Sequence, residues 1–371
     1  MSSPRRVVSV VGTRPNFMKT APVVAELARR RDLFEPVLVH TGQHYDDAMS
    51  QIFLEELDIG APDHFLDVGS GPHGAQTARV MERLEPLLQE LQPDLVLVPG
   101  DVNSTIAAAL TAAKLNIPVG HIEAGLRSWD RTMPEEINRL LTDQISDYLF
   151  THSPEARDNL LREGRPAEAI HAVGNTMIDT LVAMRSRIEA LDAAGSHGLQ
   201  DRHYVVVTLH RPALVDSPHL LAQAIAGLDA ISQDLDVVFP VHPRTRANMA
   251  AAAIAPASQR VRLLDPLGYL DFLGLVSGAA GVLTDSGGIQ EETTYLGIPC
   301  FTLRDTTERP VTVEYGTNTL LGLNPPRIGE VPALIAAARE RPARVPEGWD
   351  GAAAERLVNV LSQAAVGAAP V

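Results

Sequence analysis

Short β-branched runs alternate along the chain with longer segments whose apolar positions recur at helical spacing. "VVSVV" precedes a helical pattern over Met18 to Arg30, "PVLVH" one over Asp46 to Leu57, and "DLVLVPG" one over Ser104 to Leu115. Strands that read as continuous apolar runs, separated by helices, predict βαβ units and a parallel sheet covered on both faces. After "PVGHIE", "YLFT" and "AIHAVG", a helix over Thr176 to Ala194 leads into "AGSHGLQDRH", the best linker candidate. The alternation then restarts with "YVVVTLH", a helix over Ser217 to Leu235, "DVVFPVH", a helix over Arg246 to Ala255, "RVRLL", "GVLTDSGG", "PCFTL" and "NTLLG". The pattern predicts two doubly wound α/β domains, over 1–192 and 203–350. A last helix near Ala352 to Ala365 has no strand after it, so 351–371 is expected to be a helix and tail packing back on the first domain.

Length agrees with the pattern: 371 residues exceed one ordinary core and suit two domains of about 150 to 200 residues. Apolar residues make up 45% without a run near the ~18 residues of a membrane span. A net charge of −15 argues against nucleic acid or an anionic membrane as partner, since either needs a basic face. An anionic ligand would have to be held locally. Cys300 is the only cysteine, so no internal disulfide forms; its setting in "GIPCFTL" predicts a buried thiol in a reducing compartment. The apolar stretch after Arg5 and Arg6 is too short for a signal-peptide core, and a cytoplasmic protein is expected.

Ligands of open parallel sheets bind beyond the carboxyl ends of the strands, and there the polar residues collect. The strands run out into Gly12-Thr13-Arg14, His40-Thr41-Gly42-Gln43-His44, Gly100-Asp101, His121-Ile122-Glu123, Thr208-Leu209-His210-Arg211, Val241-His242-Pro243-Arg244 and Thr284-Asp285-Ser286-Gly287-Gly288. Any one such residue suits a cap or turn; the set together predicts a site between the two halves. "GSGPHG" at Gly69 to Gly74 matches a dinucleotide fingerprint only literally, because Pro72 sits inside it and Asp94 begins a strand, so a loop is expected. His40 and His44 are separated by a glycine-containing strand exit and lack a carboxylate-histidine motif, so no metal site is expected. No Gly-x-Ser-x-Gly elbow accompanies "TLHRP".

In "LTDSGGIQEETTYLGIP" neither Asp285 nor Ser286 can form a capping box, which leaves the N–H groups at Gly287 and Gly288 for an anion such as a pyrophosphate. Glu291 then answers the helix dipole or solvent, and Glu292 suits hydroxyl groups of a ligand. Phosphates plus vicinal hydroxyls point to a nucleotide, and two domains to a nucleotide-sugar. Tyr269 and Phe272 suit either the border of a base or a helical core pair.

The motifs "GTRPNFMKTAPV", "TGQHYD", "PGDVNST", "GHIEAGLRS", "PEEINR", "GNTMID", "TLHRP", "DSGGIQEET" and "TERPVT" follow one another as they do in the non-hydrolysing UDP-N-acetylglucosamine 2-epimerases, which this chain resembles over nearly its whole length. The resemblance implies two Rossmann-like domains of the GT-B type with the active site in the interdomain cleft. It implies a cofactor-independent isomerase, without a metal, that interconverts UDP-GlcNAc and UDP-ManNAc by elimination of UDP to a glycal and re-addition. Motif by motif, it implies Asp101, Glu123 and Glu135 as acid–base groups and His210 beside the leaving phosphate. Arg14, Lys19 and Arg139 would support the departing diphosphate and the site. Ser286, Gly287 and Gly288 fall on phosphate, Glu292 on ribose, Phe272 beside uracil and Arg309 near the diphosphate. Gln43, His44 and His242 correspond to a neighbourhood where family members bind a second UDP-GlcNAc as activator. A homodimer is implied as well. The chain departs from the common family pattern at Pro212 to Asp216 after "HR", in "PVHPRTR", and in "GTRPNFMK", which leaves the acylamino sugar and the activator response open. A GT-B glycosyltransferase, a hydrolysing 2-epimerase and a silent nucleotide-sugar sensor are the competing functions.

Overall fold

The computed structural model describes residues 3–43, 60–338 and 344–363, without the Arg14 side chain. The expected helix over Asp46 to Leu57, His44 and the end of the last helix lie outside the described residues. The contacts divide the chain into two units, Met1–Ala183 with Glu347–Val371, and Met184–Pro346.

In the first unit β1 (Arg5–Val11), β2 (Phe34–His40), β3 (His64–Phe65), β4 (Leu95–Pro99), β5 (Val119–Ile122), β6 (Tyr148–Thr151) and β7 (Ile170–Ala172) form one parallel sheet in the order β3-β2-β1-β4-β5-β6-β7. The helices between them are α1 (Arg14–Arg29), α2 (His73–Leu91), α3 (Asn103–Lys114), α4 (Pro134–Ile145) and α5 (Pro154–Arg162), and α6 (Thr176–Ala190) follows β7. Side chains alternate across a strand, so Val7 joins Val23, Leu27, Leu97 and Phe150 on one face while Val8 joins Leu84, Leu88, Val96 and Ala108 on the other. Both faces are dry, as continuous apolar strands require. Of the loop expected at Gly69 to Gly74, Gly69 to Pro72 is loop, and α2 starts at His73.

The second unit repeats the scheme. After the short α7 (Ala193–Ser196), β8 (Tyr204–Thr208), β9 (Asp236–Pro240), β10 (Val261–Leu264), β11 (Gly281–Thr284), β12 (Cys300–Thr302) and β13 (Asn318–Leu320) pair in parallel in the order β10-β9-β8-β11-β12-β13. Its helices are α8 (Pro212–Val215), α9 (Pro218–Ile231), α10 (Pro243–Ala251), α11 (Tyr269–Gly278), α12 (Gly287–Leu296), α13 (Val311–Glu314) and α14 (Val331–Ala338). Val205, Val207 and Leu283 pack on one side and Tyr204, Val206 and Val282 on the other. Cys300 is buried, and burial pushes its thiol up to about 11, so it is a packing residue. The stretch 194–203 is no open linker: Asp192 Oδ1 accepts from Gly195 N at 2.9 Å, and Ala193 and Leu199 are buried with Tyr204 and Leu275.

Local chemistry moves helix starts forward of the apolar pattern. Helix α1 begins at Arg14, four residues before Met18, because Asn16 Oδ1 accepts from both Thr13 N and Thr13 Oγ1 at 3.1 Å. Helix α10 begins at Pro243 because the His242 ring accepts from Arg244 N at 3.2 Å. Proline is suited to a first turn, where its missing N–H costs nothing.

Helix α15 (Ala353–Gln363) returns to the first unit, where Ala354, Leu357, Val358 and Leu361 share a cluster with Val7, Val23 and Phe34. Its start is capped by Asp179, whose two oxygens accept from Ala353 N and Ala354 N at 3.1 and 2.7 Å. Arg356 Nε donates to Val173 O at 2.6 Å, and the fully buried Trp349 donates from Nε1 to His152 O at 2.9 Å.

Two outcomes are expected. Trp349→Ala removes a 1% exposed indole and its hydrogen bond; a loss of about 3–5 kcal/mol is expected in urea unfolding, and a change below about 1 kcal/mol would show that the return segment is not part of the unit's core. Burial pushes the Asp179 carboxyl from 3.8 up to about 6, against the two N–H groups that favour its anion. The native state therefore keeps a proton that the unfolded chain has lost, and this group's contribution to stability, full below 3.8, is lost as pH rises through about 6. Asp179→Asn abolishes that term, so melting temperatures of variant minus parent should climb between pH 4 and 7, by on the order of 3 kcal/mol in free energy; a difference that is flat or falls with pH refutes the assignment.

Candidate active site

In each sheet the strand order reverses at one place, between β1 and β4 and between β8 and β11. Chains leave such neighbouring strands toward opposite faces, which opens a crevice at their carboxyl ends. At the first reversal lie Gly12 and Thr13 after β1, and Gly100 and Asp101 after β4.

Asn16 ties the two exits together. Its Oδ1 accepts from Gly12 N at 3.2 Å while its Nδ2 donates to Pro99 O at 3.0 Å. One helical turn along α1, Lys19 forms an ion pair with Glu123 at the end of β5, with both side chains buried. Gly100 has φ +66°, and a Cβ on it would sit 3.1 Å from Lys19 Nζ and 3.4 Å from Glu123 Oε2. A larger residue would thus crowd the pair. Glu123 itself has φ +71°, a strained value for a non-glycine residue and one that concentrates at functional sites.

Helix α4 supplies the partner of Asp101. Arg139 Nη1 forms an ion pair with Asp101 Oδ2, and Asn138 Nδ2 donates to Asp101 O at 2.9 Å. Arg139 is in turn held by Glu136, whose Oε2 accepts from Nε at 3.0 Å and Nη2 at 2.6 Å. Glu136 also accepts from Ser128 N and Trp129 N at 3.0 Å each. Burial pushes the Glu136 carboxyl up, but the Ser128 hydrogen bond and the Arg139 guanidinium outweigh it and leave it below its usual range. Glu135, half-buried in the first turn of α4, is four residues before Arg139 and so shares a face with it. The sequence motif singled out Glu135 and passed over Glu136; the i,i+3 spacing of Glu136 and Arg139 was the available signal. Gln43 lies by the same crevice: its Oε1 accepts from Ser104 Oγ at 2.8 Å and would be 3.0 Å from a Cβ on Gly12. His40 is buried between the rings of Phe17 and Phe65, at 5.1 and 4.9 Å.

At the second reversal, Asp285 organises the end of β8. Its Oδ2 accepts from His210 N and Arg211 N at 2.8 Å, and its Oδ1 pairs with His210 Nδ1 at 3.0 Å. Burial raises the Asp285 carboxyl, yet His210 and these N–H groups hold it below the usual carboxylate range. An ionised acceptor fixes the proton of the ring on Nδ1 and leaves Nε2, on a side chain 39% exposed, for a ligand. The His242 ring lies 5.7 Å from that of His210. Asp216, at the end of α8, joins that helix to α10, accepting from Arg244 Nε at 2.8 Å and Asn248 Nδ2 at 3.0 Å.

Ser286 stands at the N-cap of α12 with φ −85° and ψ 139°, and its side chain makes no capping hydrogen bond. Behind Gly287, a Cβ would meet Arg309 Nη1 at 2.6 Å and Glu308 Oε1 at 2.7 Å. Arg309 is 4% exposed and pairs with Glu291 at 3.0 Å and with Glu308 at 2.6 Å. Glu291 is therefore a buried counter-ion of Arg309, and the sequence expectation of a dipole or solvent residue is corrected: a carboxylate beneath the helix start has a guanidinium to neutralise. Glu292 is 6% exposed. Tyr269 is buried, and Phe272 packs partly buried against the cluster of Tyr204, Leu275 and Val282.

No helix among the described residues is long and apolar enough to cross a membrane. The sequence model of the family described as UDP-N-acetylglucosamine 2-epimerase matches residues 26–362. A UDP-N-acetylglucosamine 2-epimerase of Methanococcus maripaludis is 42% identical over 327 residues, 86% of this chain and 88% of its own. A UDP-2,3-diacetamido-2,3-dideoxy-D-glucuronate 2-epimerase of Pseudomonas aeruginosa is also 42% identical, over 321 residues, 85% of this chain and 88% of its own. The crystal structure of a Methanocaldococcus jannaschii UDP-GlcNAc 2-epimerase, in complex with UDP-GlcNAc and UDP, superposes with a TM-score of 0.88 at 38% identity, covering 97% of this chain and all of that one. With a family model spanning most of its length and relatives this similar, the chain belongs to the UDP-N-acetylglucosamine 2-epimerase family of isomerases.

Proposed function

We propose that this protein inverts C2 of UDP-GlcNAc to give UDP-ManNAc, without a cofactor. The observation that carries the proposal is the set of cation-paired carboxylates, Asp101 with Arg139 at the strand reversal of the first sheet and Glu123 with Lys19 at the end of the adjoining β5. The C2 proton of a pyranose ring is not acidic, and direct abstraction is slow. As the C1–O bond to UDP breaks, positive charge develops at C1 and acidifies C2–H. A carboxylate takes that proton, the electron pair forms the C1=C2 bond, and UDP carries the charge away. In the return step a carboxylic acid protonates C2 from the other face while the UDP oxygen re-forms the bond to C1, so nothing is oxidised or consumed.

Asp101, Glu123 and Glu135 are assigned the proton transfers. His210, oriented by Asp285, offsets charge on the departing phosphate, with Arg14, Lys19 and Arg139 in support. Ser286 and the N–H groups of Gly287 and Gly288 hold the diphosphate, Arg309 backs them, Glu292 takes the ribose and Phe272 borders the uracil. Gln43, His44 and His242 are assigned to a second, activating UDP-GlcNAc, and the working form is assigned as a cytoplasmic homodimer. The Pseudomonas relative favours a second reading, in which the same C2 inversion acts on a diacetamido uronic acid.

Proton NMR in D2O decides between these. Incubation with UDP-GlcNAc should place deuterium at C2 and yield the manno epimer. Inversion only of the UDP-diacetamido uronic acid in a parallel tube would select the second reading, and no exchange from UDP-GlcNAc, UDP-ManNAc or the uronic acid would overturn both. Free ManNAc with UDP would identify a hydrolysing enzyme instead. Asp285→Asn should lower kcat about 10–100-fold, as loss of an orienting carboxylate does, with UDP affinity by calorimetry within about twofold; an unchanged kcat removes the role given to His210.

A further inference from the structure

Beneath the acid–base residues of the first unit lies a buried ionic cluster to which the elimination scheme gives no role. His121 and Asp143 are both 0% exposed. The ring donates from Nδ1 to Asp143 Oδ1 and from Nε2 to Gly100 O, each at 2.7 Å. The second oxygen of Asp143 accepts from Gly125 N at 3.1 Å and pairs with Arg127 at 2.7 Å, and Arg127 Nε donates to Glu163 Oε1 at 2.7 Å. Burial pushes the Asp143 carboxyl up, and His121 and Arg127 overcome it, leaving it below its usual range.

Three segments meet on this one carboxylate. Gly100, held through His121, immediately precedes Asp101 and is itself in the left-handed region. His121 and Gly125, both bonded to Asp143, bracket the turn in which Glu123 takes φ +71°. On α4, Arg139 lies one turn before Asp143 and holds the Asp101 carboxylate. Well-packed apolar side chains often fill such a space without loss of stability, because buried charges must be desolvated. An ionic hub is warranted by what it specifies, namely directional contacts to a carbonyl, an amide and a guanidinium.

Resting on the epimerase reading above, we propose that Asp143 and His121 are positioning residues that set the mutual placement of Asp101 and Glu123 for proton transfer to and from C2. Binding of the UDP moiety does not depend on them.

The test compares Asp143→Asn and His121→Gln with the parent and with Leu88→Ala, a cavity in the distant core between α2 and the sheet. Each is measured for C2 deuterium incorporation, kcat, KM, UDP affinity and thermal melting. The two site variants should lose about 10–100-fold in kcat, as other supporting-residue changes do, with KM and UDP affinity within about twofold. His121→Gln, which can still donate to Gly100 O, should keep more activity than His121→Leu. Leu88→Ala should melt earlier with kcat intact. A kcat within about twofold of the parent in whichever of the two variants folds, or KM and UDP affinity falling in step with kcat, overturns the proposal. A parent that exchanges no C2 proton defeats the epimerase reading, whereas an active parent matched by Asp143→Asn defeats the positioning role alone.

Discussion

A parallel sheet covered by helices on both faces disfavours polar side chains along its strands, because each is buried and needs a partner, as His121 on β5 has in Asp143 and Gly100 O. Chemistry is driven to the strand ends, and among these to the places where chain direction lets two neighbouring exits diverge. In this protein both sheets obey that constraint. The Asp101 and Glu123 carboxylates follow β4 and β5 of one sheet, and the His210–Asp285 pair joins the exits of β8 and β11 in the other. The apolar strands and the reactive termini are two results of one requirement.

Electrostatics in these regions is settled by pairs. The chain carries a formal charge of −15, yet Asp101 and several buried carboxylates are answered at short range: Glu123 by Lys19, Asp101 and Glu136 by Arg139, Asp143 by Arg127, and Glu291 and Glu308 by Arg309. In a poorly solvated surrounding the loss of one member leaves its partner uncompensated, which costs more than the pair contributes. Each arginine is thus as much a part of the carboxylate's setting as the backbone that carries it.

The fold was legible because period and composition agreed: short apolar runs such as "DLVLVPG" suit buried parallel strands, and the helical stretches between them supply the crossovers. The positions of polar residues at strand ends were legible too, as those of Asp101, Glu123, His210 and the Gly287-Gly288 pair show. Residues that act by supporting others were not. Glu136 is adjacent to Glu135 and indistinguishable from it until the helix phase is known, and Asp143 is four residues beyond the end of "PEEINR". The stretch 194–203 looked like a linker because Gly, Ser and His dominate it, and only three-dimensional packing shows Leu199 as its anchor. A chain pattern reports which face a residue occupies; it does not report which distant side chain arrives there.

Helix α15 gives the topology a temporal side. The first unit draws its core from both ends of the chain, with Leu357, Val358 and Leu361 lying against Val7, Val23 and Phe34, whereas the second unit is continuous from Met184 to Pro346. During synthesis from the amino terminus, the second unit has every residue it needs before the first does. The unit that carries Asp101 and Glu123 is completed last, so on the ribosome a finished second unit coexists with a first unit whose apolar seat for α15 is still unfilled.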